Sequence, residues 1–278
     1  MTRLLFYGNC QVDAVEQTLN LDPEVFVTHS VECWTTTIAK EEFTALVAKA
    51  DILVMQPTAD GYRGLDYLST SYILRHRKKA SKVFLFDSCY FRFYYCDMRY
   101  REWNGMRLIR PISYHYDTMV ECYLGRKTID EYLEEFVFDP DFKSSTQLDE
   151  IAADSLRRLK TKYADNLEKY SGDGVRVLST HDFTRDNYKQ KLLYYSMNHP
   201  SKHLVQFVCE ELVRFACLPN SIDYSIDVLA MVQCLLYSCV QKNVHFPLAN
   251  HGPLLQDKVD VRDIVQLYYD AYAKIGLC

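Results

Sequence analysis

One cysteine in this sequence lies where a nucleophile would be useful. Leu4-Leu5-Phe6-Tyr7 is a short apolar run that stops at Gly8, and helical spacing begins at Gln11. Cys10 therefore falls at the junction of a strand and a helix. A helix N-terminus carries unsatisfied amides and about half a positive charge, which lowers a thiol pKa and favours an anion formed there. Gly8 permits a tight turn, and Asn9 and Gln11 flank the sulfur with amide donors suited to an oxyanion. Spacing alone is equally compatible with a buried cysteine in a turn. His199 has the second-best context. Asn198-His199-Pro200-Ser201 follows an apolar stretch and precedes a helix, so His199 belongs at a loop edge. There a neutral imidazole can accept a proton at physiological pH; a capping or surface histidine is the alternative. Facing each other, the two would titrate as a pair, with the imidazolium supporting the thiolate.

Stepping outward, alternating signals must position these residues. Strand runs at Leu4–Tyr7, Val25–Val27, Asp51–Met55 and Val83–Phe86 alternate with helical spacing at Gln11–Leu21, Glu41–Ala50 and Tyr62–Arg77. Continuous apolar strands separated by helices predict a parallel sheet covered on both faces, an α/β domain. Helices follow at Thr118–Leu124 and Thr128–Phe136, the second capped by Thr128 with Glu131 three residues on. Ser145–Tyr170 is one long charged helix, Val175–Leu178 returns to the sheet, and Ser201 opens an apolar helix to Ala216. The tail reads as helical over Ile222–Cys239 and Val259–Ile275. The expected organisation is an α/β core with the cysteine elbow (1–140), a helical insertion (141–174), a returning segment with the histidine motif (175–220) and a helical C-terminal part (221–278).

Composition sets the outer limits. A length of 278 residues suits one large domain or two modest ones, at roughly 150 residues each. Nine Gly and eight Pro are too few for a linker-rich or disordered chain. The 32 basic against 37 acidic residues give a net charge of −5, which argues against a nucleic-acid partner. The start carries no secretory apolar stretch, and the 13-residue apolar run Val228–Val240 is shorter than the ~20 residues of a membrane span; a cytoplasmic protein is expected. Ten cysteines contain no C-x-x-C pair, so no metal site is expected. Cys209, Cys217, Cys234 and Cys239 read as reduced, buried small hydrophobes.

Several short motifs, in this order and spacing, resemble the WcbI-type family. They are Gly8-Asn9-Cys10-Gln11 after the first strand, Gln56-Pro57 after the third, Tyr114-His115-Tyr116-Asp117 through Gly125 and Glu131, and Asn198-His199-Pro200-Ser201 before a late helix. Members are bacterial polysaccharide-biosynthesis proteins, regarded as coenzyme A-dependent acetyltransferases acting on capsular sugars. That family is itself similar to SGNH hydrolases and O-acetyltransferases, which implies a three-layer SGNH-like sheet domain with helical additions. Gly8-Asn9-Cys10 matches the G-D-S block with Asn for Asp and Cys for Ser. His199-Pro200 matches the D-x-x-H-P block, but the aspartate position is Ser196, and a serine cannot stabilise an imidazolium as a carboxylate does.

The resemblance implies an acyltransferase that moves acetyl from acetyl-CoA to a sugar hydroxyl, with Cys10 as nucleophile and His199 as base. Gly8, Asn9, Gln11, Gln56, Asn198 and His115 would form the oxyanion and substrate site. Arg92, Arg99 and Arg101, interleaved with aromatics over 90–101, could hold a phosphate of coenzyme A, while those aromatics equally suit core or homo-oligomer packing. The basic run Arg75–Lys79 could touch the same phosphates or be a solvated helix end. The rivals are an esterase using water as acceptor and a non-catalytic glycan- or nucleotide-binding protein.

Overall fold

The computed structural model describes residues 1–103, 105–108, 111, 113–219, 222–231, 234–246 and 260–277. The main elements are β1 (Thr2–Gly8), α1 (Cys10–Thr18), β2 (Phe26–Glu32), α2 (Lys40–Lys49), β3 (Ile52–Met55), α3 (Thr70–His76) and β4 (Lys82–Phe86). They continue with α4 (Asp117–Leu124), α5 (Ser145–Tyr170), β5 (Val175–Leu178), α6 (Lys202–Ala216) and α7 (Val261–Lys274). The chain forms two compact units. The first comprises Met1–Cys89, Arg157–Asp186 and Pro200–Leu229; the second comprises Tyr90–Leu156, Asn187–His199 and Ala230–Cys278.

In the first unit the five strands pair in parallel in the order β2-β1-β3-β4-β5. Side chains alternate across the pleat. Leu5, Tyr7, Leu53, Met55, Val83, Leu85 and Val177 therefore share one face and pack with Phe43 and Val47 of α2 and Ile73 of α3. Leu4, Phe6, Val54, Phe84 and Phe86 are equally buried and take the opposite face, where Phe84 meets Phe215 of α6 at 6.0 Å between centroids. Helices on both faces make this a three-layer α/β unit, as the strand pattern predicts. The Lys82 ammonium donates to the carbonyls of Phe215 and Ala216 at 3.4 and 3.0 Å, a favourable place for a cation at a helix C-terminus.

The second unit is built on aromatics. Phe91, Phe93, Tyr94 and Tyr95 are 0–1% exposed, and Phe91 stacks on Tyr194 with centroids 5.5 Å apart. Core packing thus accounts for these rings. Tyr100 alone of the cluster is well exposed, with the Arg107 guanidinium 3.8 Å from its centroid. Among the described residues, no helix is long and apolar enough to cross a membrane.

Three expected elements differ. Over Tyr62–Arg77 the chain makes two 3-10 turns before α3 begins at Thr70, because Gly61, Arg63 and Gly64 hold positive φ and interrupt helical hydrogen bonding. The Ile222–Cys239 tail is not one helix: a 3-10 turn covers Val228–Met231 and a short helix Ser238–Gln241. Between them Cys234, Leu235, Leu236 and Tyr237 are buried outside any helix, and the Cys234 N–H donates to Tyr195 O at 2.8 Å. Val259, expected to open the last helix, lies outside the described residues; α7 begins at Val261, capped by Asp260. Cys217 is exposed, not buried, because it ends α6 in the left-handed region at φ 58°.

Candidate active site

The sheet order reverses between β1 and β3. β1 connects outward to β2, whereas β3 connects the other way through β4 to β5. In open α/β sheets ligands bind beyond the carboxyl ends of the strands at such a switch point. Cys10 is the first residue of α1 directly after β1, and Gln56 directly follows β3.

The turn holding Cys10 is knitted by side-chain amides. Asn9 caps α1, its Oδ1 accepting the Gln11 N–H at 2.9 Å. The Asn9 N–H donates to Gln56 Oε1 at 3.0 Å, and Gln56 Nε2 donates to Gln11 Oε1 at 2.8 Å. Gln11 Oε1 also accepts the Cys89 N–H at 2.9 Å, while its Nε2 donates to Cys89 O at 3.1 Å. The ends of β1, β3 and β4 are thereby locked together. This corrects the expected role of the amides: Gln11 and Gln56 are buried and hold the turn, instead of flanking the sulfur as oxyanion donors.

Gly8 also has a different purpose. Its φ is not positive, but a Cβ there would lie 2.4 Å from Val12 Cγ2 and 2.9 Å from Gln56 Oε1. Glycine is needed for the close approach of α1 to β1. Gly8→Ala is expected to destabilise by about 2–3 kcal/mol, the cost of overpacking a filled core. Val12→Ala should recover part of that loss in the double variant. Urea unfolding of the three variants measures it; strictly additive losses would contradict the clash.

Cys10 is half-buried, and its thiol is pushed up to about 11, first by burial and then by the Asp13 and Glu32 carboxylates; the N–H groups of Cys10 and Gln11 pull weakly the other way. The helix end does not win, so the acidified thiol expected from position alone is not what the structure holds. At pH 7 roughly one molecule in ten thousand would carry the thiolate. A base is required.

Asp13, which the motif reading did not single out, is the carboxylate that most raises the Cys10 thiol. It stands three residues after Cys10, on the same face of α1. Burial raises its carboxyl to about 6; the Ser30 hydroxyl, donating at 2.8 Å, opposes this and a hydrogen bond with the Glu32 carboxyl adds to it. The C-x-x-D spacing in the first turn was the available signal.

In the second unit His199 opens the second strand of a small ribbon, after Tyr194–Ser196. Burial lowers its imidazole to about 4, and its Nδ1 is buried without a hydrogen-bond partner among the described residues. Its ring meets Tyr114 edge-on at 5.8 Å. Ser196 Oγ, at the position of the expected aspartate, donates to Asn198 Oδ1 at 3.2 Å, and Asn198 Nδ2 donates to Tyr100 at 3.0 Å. His199 is therefore neutral at physiological pH, and the thiol of Cys10 is raised, so neither group carries the charge that an imidazolium–thiolate pair needs. Its C2 proton resonance should show no titration near pH 6.5 and should begin to move only toward pH 4; a midpoint near 6.5 would contradict this.

His115 is fully buried, with Nδ1 3.0 Å from the Tyr272 hydroxyl and Nε2 3.4 Å from Leu108 O. Burial lowers it to about 4; it is a core histidine with no surface to offer a substrate. Arg99 and Arg101 both engage the Asp117 carboxylate, at 2.5 and 2.7 Å. Arg92 turns inward, donating to Cys96 O at 3.3 Å. In the basic run, Arg77 donates to the carbonyls of Ser81 and Asp173 and Lys78 pairs with Asp51.

A profile of the polysaccharide biosynthesis enzyme WcbI matches residues 3–220. The chain belongs to the WcbI family. Its members are enzymes of polysaccharide biosynthesis. A solved structure of WcbI superposes with a TM-score of 0.80 at 19% identity, covering 98% of this chain and 90% of the other. That structure is described as a novel polysaccharide biosynthesis enzyme in its native form, without a disulfide bond between coenzyme A and a cysteine. No curated protein matches the sequence. The superposition establishes a WcbI-type fold over 98% of the chain.

Proposed function

We propose that this WcbI-family chain is a coenzyme A-dependent acyltransferase that passes an acetyl group through Cys10 to a hydroxyl of a surface or capsular polysaccharide precursor, in the cytoplasm. The observation that carries the reading is the half-buried thiol on the first residue of α1 at the switch point of the sheet. The solved WcbI, described with reference to coenzyme A and a cysteine, supports the cofactor. The residues present fit the thiol end of that cofactor: a sulfur with partial access, on the first residue of a helix.

Cys10 Sγ forms the bond to the acyl carbon while its proton passes to Asp13, and the thiol displaced from the donor takes a proton back. The Cys10 N–H, on the first residue of α1, is the backbone donor offered to the charge that develops on the acyl oxygen. His199, neutral at physiological pH, then removes the proton of the attacking hydroxyl; the new ester bond forms as the bond to Cys10 Sγ breaks. Exchange between two sulfur esters is nearly balanced, so a cysteine suits the first step.

Coenzyme A at 100 times its dissociation constant should add about 2.7 kcal/mol to stability if it binds only the folded chain. At this chain length that is a melting shift of several degrees. Desulfo-coenzyme A should give a similar shift. No shift with millimolar coenzyme A would overturn the assignment, and acetyl release to water without any saccharide acceptor would make the protein an esterase.

A further inference from the structure

Beside the carboxyl end of β2 the first unit carries a groove of about 610 Å³, lined by Ser30, Glu32, Thr35, Thr36, Thr37 and Glu42 with a few apolar neighbours. Four hydroxyls and two carboxylates line it; Ser30 and Thr35 already donate to Asp13 and Glu32 at 2.8 and 2.7 Å, so the lining offers sugar hydroxyls chiefly acceptor oxygens. No lysine or arginine lines it. Two cations lie beside the lining without belonging to it: Arg63 donates to the carbonyls of Cys33 and Thr36 at 3.2 and 2.9 Å, and the Lys40 ammonium lies over the Tyr72 ring at 5.8 Å. Trp34, in the same turn as Thr35, is 56% exposed, the kind of apolar face on which a pyranose ring stacks. Glu32 of this groove pairs with Gly8 in the sheet, two residues before Cys10, and Ser30 of the same groove donates to Asp13 of α1 at 2.8 Å, so the groove borders the turn that holds the thiol.

The geometry points to this groove as the acceptor subsite of the Cys10 centre, taking a hydroxyl-rich, non-anionic saccharide. A phosphate or uronate entering it would meet the Glu32 and Glu42 carboxylates with no lysine or arginine among the lining residues, so like-charge repulsion selects against phosphorylated and carboxylated sugars. The inference rests on the acyltransferase reading and adds which sugars it accepts and where.

The test is binding of the full-length protein to an array of neutral, amino-bearing, phosphorylated and carboxylated bacterial saccharides. Wild type, Trp34→Ala and Glu42→Gln are compared, with the melting shift caused by coenzyme A measured on the same samples. Both substitutions are on exposed side chains, so folding should be little affected. The expected result is wild-type binding to neutral or amino-bearing saccharides, reduced about tenfold in Trp34→Ala, the worth of one lost stacking contact, and reduced in Glu42→Gln, with the coenzyme A shift unchanged. Absence of binding in wild type, binding confined to anionic saccharides, or variants that bind like wild type would overturn the groove assignment. Loss of the coenzyme A shift in wild type would instead overturn the acyltransferase reading.

Discussion

Cys10→Ala is expected to abolish transfer of acetyl from acetyl-CoA and to leave the fold intact. The side chain is half-buried and its sulfur contributes little packing, whereas the chemistry needs it as the atom that receives the acyl group. Residual transfer in the variant should be below one thousandth of wild type, the usual loss on removing a covalent nucleophile. The coenzyme A melting shift should persist, because binding and covalent capture are separate. A variant retaining a tenth of wild-type activity would reduce Cys10 to a lining residue and favour direct transfer. Alkylation should tell the same story from the other side. Burial with Asp13 and Glu32 holds the thiol near 11, so its reaction with iodoacetamide should rise steeply with pH well above neutrality. The exposed Cys217 is expected to be labelled first at pH 7.

His199→Gln is expected to slow delivery to the acceptor by about two to four powers of ten, the usual share of general base catalysis. The formation of acetyl-Cys10 should survive, since Asp13 takes the thiol proton. The variant should therefore show a normal initial burst of acyl capture followed by almost no turnover. A missing burst would place His199 in the first step, and unchanged turnover would remove it from the mechanism. Asp13→Asn should show the reverse pattern, a slow burst. Melting temperatures of both variants control for folding.

The parallel sheet was legible because its strands are buried on both faces and so read as unbroken apolar runs: Leu53, Val54 and Met55 leave no polar register to misplace. The helix Ser145–Tyr170 and the Thr128–Glu131 capping box are found at the residues expected, since charge pattern and cap chemistry are local. What failed was set by tertiary contact. The apolar run near Cys234 has no period that distinguishes a buried helix from buried chain outside a helix, and its contact with Tyr195 is tertiary. Gln11 and Gln56 lie at site positions, but their amides are claimed by Cys89 and by each other, which no spacing announces. The Cys10 thiol is raised first by burial and then by Asp13 and Glu32, the last brought opposite Gly8 only by the pairing of β1 with β2; burial and that pairing are tertiary, and together with Asp13 they outweigh a helix-end effect readable from sequence.

The central claim is that the Cys10 sulfur carries the acyl group. The most direct measurement is peptide mass spectrometry of the protein quenched in acid shortly after mixing with acetyl-CoA, without a saccharide acceptor. The account predicts an acetyl group on the peptide containing Cys10, removed by neutral hydroxylamine and absent from Cys10→Ala. An unmodified Cys10 peptide while acetyl-CoA is being consumed, or acetyl found on another cysteine, would contradict it.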